Sequence, residues 1–480
     1  MLKVLFVENP IKISTKNFYL ANSTMTSLAA SIAPHKGLVY EVLLDAALRK
    51  RSLLELIAEA VERYEIDLVA LNGMACQFEA TAHIARYLKF RHPSLPIVVG
   101  GWHVSGLLVE GTLDPRTLRN IDFAIYGEGE QALKALCDAL EAGVTDFSTV
   151  PNLIVNRGRE LQINPKAEYT SFDRLPPPAR EAYLHPEQIY GRRFGLTVHG
   201  LETSRGCQYD CAFCCTKTIN EHSYRTFPLE RILADLEQLS WRGAKQILLT
   251  DENPLQDPAH FRRLLEEIIS NKFNKFHFTI ITSPRSLLQD LSLLPLLKEA
   301  GVRDFVLGVE SFNRKNLAAY GKTWARPEMS IEVIDVLRRH GMYSSMSFII
   351  GAPEDTREDL LFQFEHLQKA NPDVPSVFFL TPFPGTRMRR TMLEAGLIKV
   401  FNYRYYTCLH PLADTHHLDR KSLVALRDRA LRAFFLRPAR FTPRFLAHRR
   451  GRFLSQSLVS SFFFTRWLQR YDEYRAVRWY

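Results

Sequence analysis

"TSRGCQYDCAFCC", Thr203 to Cys215, holds four of the chain's seven cysteines. Three arrangements of thiols compete for such a stretch: a disulfide knot, a zinc site or an iron–sulfur cluster. The chain opens on "MLKVLFVENP", which reads as a short buried strand rather than a signal peptide, and no run of 18 or more apolar residues is present. That predicts a cytoplasmic protein, where thiols stay reduced, and weakens the disulfide reading. An odd count with one tight cluster also fits ligation better than bridging. Tetrahedral zinc takes four ligands, usually from two paired half-sites, and no second Cys or His pair follows at such a spacing. Cys207, Cys211 and Cys214 are spaced C-x3-C-x2-C. Three thiolates on one tight loop suit three irons of a [4Fe–4S] cubane and leave the fourth iron open to a substrate.

Around this stretch the chain reads as alternating strands and helices. From about residue 195 the strand candidates are "GLETSRG", "KQILLTDEN", "FHFTIITS", "RDFVLGVES", "SSMSFIIGAP" and "SVFFLTPFPG". Six βα units are too few for an eight-fold barrel, so 195–400 is expected to be a partial (β/α)6 barrel with its working rim at the strand ends. Residues 1–140 alternate in shorter units. In "RSLLELIAEAVERY", Leu53, Leu56, Ile57, Ala60 and Val61 fall on one helical face. This predicts an α/β domain with a flavodoxin-like, doubly wound parallel sheet. Residues 141–194, with "FSTVPNLIVNRGRELQI" and "LPPPAREAY", read as a linker with a hairpin.

The net charge of +10 belongs to the end of the chain. From Arg420 to Tyr480 there are 15 Lys+Arg against 3 Asp+Glu, or +12, which leaves about −2 for the rest. Residues 401–480 are expected to be a helical, Arg-rich region. "LRPARFTPRFLAHRRGRFLSQSLVSSFFFTRWLQRY" interleaves Arg with Phe, Leu and Trp. It is read first as a cap over the barrel. The alternatives are an interfacial membrane helix, which would make the protein membrane-associated, and an RNA-binding patch, the least favoured.

The C-x3-C-x2-C spacing, with Phe213 just before the third Cys on the first strand of a partial barrel, resembles the radical S-adenosylmethionine (SAM) superfamily. The resemblance implies that Cys207, Cys211 and Cys214 hold the cluster, that SAM binds its open iron, and that Phe213 lies near the adenine. Cys215 adds a fourth thiol and a rival register, Cys211-x3-Cys215; it is read as a small packing residue. Later strand ends match in order. Thr250, Asp251 and Glu252 would hold the SAM amino group. Glu310 and Ser311 would lie by its methionine or ribose, and Gly351 beside the adenine. Each is weak alone, because turns favour such residues.

"VVGGWHVSG" (Gly100, Gly101, His103) and "YGEGE" (Gly127, Glu128), in an α/β domain ahead of this barrel, look like the cobalamin-binding radical SAM enzymes. Glycines at strand ends let backbone approach a flat ligand. Glu128 also has the plainer reading of a helix start, and His103 that of a core or solvated histidine. The D-x-H-x-x-G motif of many cobalamin domains is missing: that position reads "VENPIKIST". The resemblance implies three cofactors, a [4Fe–4S] cluster, SAM and cobalamin. It implies a C-methyltransferase that acts on an unactivated carbon through a 5′-deoxyadenosyl radical and methylcobalamin. A cyclase or rearrangement enzyme of the anaerobic porphyrin-ester cyclase type is the runner-up, and a non-catalytic cobalamin or redox sensor the third reading. The expected partners are a small-molecule or lipid-like substrate and an electron donor of flavodoxin or ferredoxin type.

Overall fold

In the computed structural model the described residues are 1–8, 18–21, 23–42, 51–190 and 196–437. The tail beyond 437, and with it most of the expected membrane or capping segment, lies outside them.

Two parallel sheets organise the chain. The first takes β1 (Lys3–Val7), β3 (Lys36–Tyr40), β4 (Leu68–Asn72), β5 (Ile97–Gly100) and β6 (Phe123–Ile125). Their order is β3-β1-β4-β5-β6, and all of these pairs are parallel. This is the flavodoxin-like order, with the topological switch at β1 and β4. The hairpin β7 (Leu153–Asn156) and β8 (Leu161–Ile163) extends the same sheet antiparallel to β6. The strands are short apolar runs because both faces are covered. One core gathers Leu5, Val69 and Val99 with Leu56 and Ile84; the other gathers Phe6, Ala70 and Val98 with Leu133 and Leu136. The helix Leu53–Tyr64 starts where the Ser52 hydroxyl accepts from Glu55 N, and buries the Leu53/Leu56/Ile57/Ala60/Val61 stripe.

The second sheet curls into a half-barrel. It runs β16 (Val374–Phe379), β15 (Tyr343–Ile350), β14 (Val302–Glu310), β13 (His277–Thr282), β12 (Gln246–Leu249), β9 (Leu196–Leu201) and β2 (Phe18–Ala21). The first six are the barrel units that the alternation predicts. β2 was not foreseen: four residues from the start of the chain pair parallel with β9 and add a seventh strand. The main core lies between this sheet and its outer helices. The helix Arg420–Phe435 adds Leu423, Leu426, Ala430 and Phe434 to that core, so the described part of the basic region packs on the barrel.

"GLETSRG" is not one strand. β9 ends at Leu201, and Ser204–Gly206 (β10) turns to pair antiparallel with Tyr224–Thr226 (β11). Asp251 causes the break: its buried carboxylate takes the Thr203 N–H at 2.7 Å and so removes it from the ladder. Gly206, at φ +92°, then redirects the chain into the cysteine loop. Among the described residues no helix is long and apolar enough to cross a membrane.

Candidate functional site

The cysteine loop leaves the carboxyl end of the barrel and is tied down on several sides. Gly206 N donates to Glu252 at 2.9 Å, and Gln208 N to Gln256 Oε1 at 3.2 Å. Ala212 N donates to Tyr320 O at 2.8 Å, and Tyr209 stacks on Trp324 at 4.4 Å. Cys207, Cys211 and Cys214 are free and half-buried. Gln256 Nε2 donates to Cys207 Sγ at 3.3 Å, and the Cys214 thiol donates to Thr216 Oγ1 at 3.2 Å. Burial pushes all three thiols up, Cys211 to about 12. Thiols so placed become ligands only when a cation supplies the missing positive charge. Cys215 is also a free thiol, pushed up by burial and, next, by Cys214 and Cys408. Among the described residues no three His, Cys, Asp or Glu side chains converge on a single ion. A cubane asks for less convergence, because each thiolate takes its own iron at a separate corner.

The strand ends around the loop bring the sequence candidates to one rim. Phe213 packs edge-on against Tyr320 at 5.3 Å. Thr250 follows β12, and its hydroxyl donates to Leu201 O. Asp251 accepts from Thr203 N, the Thr203 hydroxyl and Ser204 Oγ, although burial still pushes its carboxyl up to about 7. Glu252 accepts from Gly206 N and from Asn220 Nδ2. Glu310 closes β14 at φ +66°, an unusual backbone for a side chain of its size, and pairs with Lys322. The Ser311 hydroxyl donates to Gln363. Gly351 follows β15 at φ +87°, and its N–H is held by Asp355 Oδ2 at 2.9 Å.

The candidates of the first domain divide into two groups. Gly100, Gly101 and His103 sit at the carboxyl end of β5. A Cβ on Gly100 would meet only Ile125 O at 3.7 Å, so this backbone is open. Gly101 has φ +113° and lies 3.1 Å, from a would-be Cβ, to Asn72 Oδ1. His103 is 2% exposed, between Phe78 at 4.7 Å and Tyr403 at 4.4 Å, and among the described residues neither ring nitrogen has a hydrogen-bond partner. Burial, with the Arg389 charge beside it, pushes its pKa down to about 3, so the ring is neutral. Gly127, at φ +71°, turns the chain after β6 with its N–H on Ser105 Oγ. Glu128 faces the barrel instead: its carboxylate meets Arg225 at 2.5 Å and Arg205 at 3.1 Å, and accepts from Thr170 N. Glu130 meets Arg205 at 2.9 Å. The "YGEGE" turn is thereby joined to β10 and β11, the strands that flank the cysteine loop.

Sequence reasoning missed three residues that the fold brings to this rim. Lys322 is buried beside Glu310; Asp355 holds the Gly351 turn; Gln256 touches Cys207. Each is a lone polar residue in a helix end or loop, where no periodicity or motif marks it.

The comparisons with known proteins cover both halves. The radical SAM superfamily model matches residues 201–363, and the B12 binding domain model matches residues 26–137. The uncharacterized methyltransferase PH0819 of Pyrococcus horikoshii is 26% identical over 386 residues, 80% of this chain and 81% of that one. The anaerobic magnesium-protoporphyrin IX monomethyl ester cyclase of Rubrivivax gelatinosus is 24% identical over 392 residues, 80% of this chain and 68% of its own. Among solved structures, the radical SAM methyltransferase TsrM from Kitasatospora setae, with cobalamin and a [4Fe–4S] cluster bound, superposes with a TM-score of 0.66 at 19% identity. That superposition covers 82% of this chain and 78% of TsrM.

Proposed function

Because the chain belongs to the cobalamin-binding radical SAM family, we propose that it is a C-methyltransferase acting on an unactivated carbon of a small molecule. The carrying observation is a juxtaposition. A three-cysteine loop at the rim of one sheet is locked, through Glu128, Glu130 and Arg205, to the glycine-rich rim of a second sheet.

The residues fit the cofactors that this reading requires. Cys207, Cys211 and Cys214 offer three thiols on one loop, with a Gln256 N–H aimed at one sulfur. At the other rim the open Gly100 backbone and the two orphaned nitrogens of His103 suit a flat ligand that carries polar groups. When bound, the cluster with SAM supplies a hydrogen-abstracting radical and the corrin supplies the methyl group.

The chain's own residues then bind and orient. We assign Thr250, Glu252, Glu310, Ser311 and Gly351 to SAM, with Phe213 beside it. Asp251 stays beneath the rim: its contacts to Thr203 and Ser204 shape the entry to the cysteine loop. Gly100, Gly101, His103 and Gly127 are assigned to the corrin edge. Glu128 is assigned to the contact that ties the two halves together rather than to the corrin edge. Electrons come from an external donor of flavodoxin or ferredoxin type.

A second reading, radical cyclisation or rearrangement, is favoured by the porphyrin-ester cyclase relative. One experiment separates them without the substrate. Reconstituted protein is given methyl-labelled SAM and reduced cobalamin under anaerobic conditions. A methyltransferase moves label to the corrin and releases S-adenosylhomocysteine. Release of 5′-deoxyadenosine with no label transfer supports the cyclase reading, and neither product leaves the sensor.

A further inference from the structure

The segment Pro384–Arg389, which follows β16 and runs into the first turn of the helix Arg387–Glu394, touches both halves of the molecule. Its first residues lie on the helix Trp102–Glu110, which follows β5. A Cβ on Gly106 would stand 2.5 Å from Pro384 O, and one on Gly385 2.8 Å from Gly106 O. The two glycines therefore meet backbone to backbone. Glu110 Oε2 accepts from Gly385 N at 3.1 Å and from Arg389 Nε at 2.7 Å. Arg389, 5% exposed, also donates to Pro382 O at 3.1 Å and Tyr406 OH at 3.0 Å.

The same segment holds the cysteine loop. Arg387 Nη1 pairs with the Asp210 carboxylate, and its Nη2 donates to Asp210 O at 2.8 Å. Met388 N donates to Ala212 O at 2.9 Å. Asp210 and Ala212 lie between Cys207 and Cys214. Residues two apart in a helix point to opposite sides. One helical turn thus extends Arg389 to the first domain and Arg387 to the loop.

We propose that Arg387 and Arg389 are positioning residues that fix the cysteine loop against the corrin-holding domain, so that each cofactor site senses the occupancy of the other. The inference rests on the cluster and cobalamin assignments above. The cluster, when bound, adds a further constraint to a loop already held by Gln256, Tyr320 and this segment. Whatever orders the Trp102–Glu110 helix also orders the Pro384–Arg389 strap and, through Asp210, the loop. Linkage then requires the effect to run equally in both directions.

The test is a cobalamin titration, read by corrin absorbance, of full-length protein with its cluster and after iron chelation. The wild type is expected to bind cobalamin about 5-fold or more tightly with the cluster in place. In Glu110→Gln and Arg389→Met that ratio falls to about 1 with wild-type iron content, and Arg389→Lys recovers part of it. The Co(II)-to-reduced-cluster distance, by pulsed spin resonance, is a single narrow distribution in the wild type and broadens in Arg387→Met. If Arg389→Met does not fold, Glu110→Gln and Arg389→Lys carry the same comparison. A wild-type ratio of 1, or a ratio that survives in Glu110→Gln, overturns the strap alone. No cobalamin binding by the wild type overturns the functional reading together with it.

Discussion

Lys322 Nζ lies 2.9 Å from Glu310 Oε1, and the two side chains are 6% and 12% exposed. Burial works against the ammonium, but Glu310 and then Cys211 hold its pKa above the ordinary lysine value. A fixed positive charge therefore stands beside the cysteine loop. Lys322→Met is expected to leave the Glu310 carboxylate buried without its partner and to lose roughly 3 kcal/mol of stability, read by denaturant melts. In the protein that still folds, the cluster's midpoint potential is expected to fall by tens of millivolts, order of magnitude, because the reduced cluster loses a neighbouring cation. Lys322→Arg should restore most of the potential. A folded Lys322→Met with an unchanged potential would sink the charge argument.

The cysteine register is tested by iron and by chemistry together. Wild-type protein reconstituted anaerobically is expected to hold about four irons per chain. Alanine at Cys207, Cys211 or Cys214 should abolish 5′-deoxyadenosine release and lower the iron content. Cys215→Ala should do neither, since Cys215 stands outside the C-x3-C-x2-C spacing. Loss of iron in Cys215→Ala with retention in Cys214→Ala would move the register to Cys211-x3-Cys215.

The contact between the halves should weaken in acid. Burial alone would raise the Glu128 carboxyl, but the Arg225 hydrogen bond and the Arg205 charge hold it below the usual carboxylate value. A depressed pKa stabilises the folded state above the unfolded value, about 4.5, and that stability is lost as pH falls through the lower folded value. Limited proteolysis of the segment joining the sheets is expected to accelerate below about pH 4.5 in the wild type. Glu128→Gln should be destabilised already at pH 7, by about 3 kcal/mol, and lack this acid-dependent step. An identical acid profile in the variant would rule Glu128 out as the titrating latch.

The fold was legible where burial imposes a period. The Leu53–Val61 stripe and the apolar strands announce helices and parallel strands; the first sheet is covered on two faces, whereas β14, β15 and β16 of the second largely alternate buried and half-buried residues. The C-x3-C-x2-C spacing was legible because three ligands from one loop need a fixed interval. β2 was not: four residues carry too little pattern, and their place is set by the free edge of β9, far along the chain. The break at Thr203 was hidden for a similar reason, since the Asp251 carboxylate that causes it lies 48 residues away. Glu128 shows the limit in the other direction. Its place at a helix start was readable, but Arg205 and Arg225, which claim its carboxylate, come from β10 and β11, the separate antiparallel pair beside the cysteine loop.

His103 separates a ligand-facing histidine from a core one. Its two nitrogens are buried and, among the described residues, unpartnered, and the neutral ring sits between Phe78 and Tyr403. An unmade hydrogen bond in a buried site costs about 1–3 kcal/mol, whereas an apolar ring of similar shape costs nothing there. His103→Phe is therefore expected to melt at or above the wild-type temperature when no cobalamin is present. If the nitrogens serve a polar group of the corrin, the same variant should bind cobalamin more weakly by about 10-fold, which is the loss of one such bond. The two measurements pull in opposite directions, which a packing role cannot produce. A more stable variant with unchanged cobalamin affinity would make His103 a core residue, and a less stable one would mean that its nitrogens already have partners within the protein.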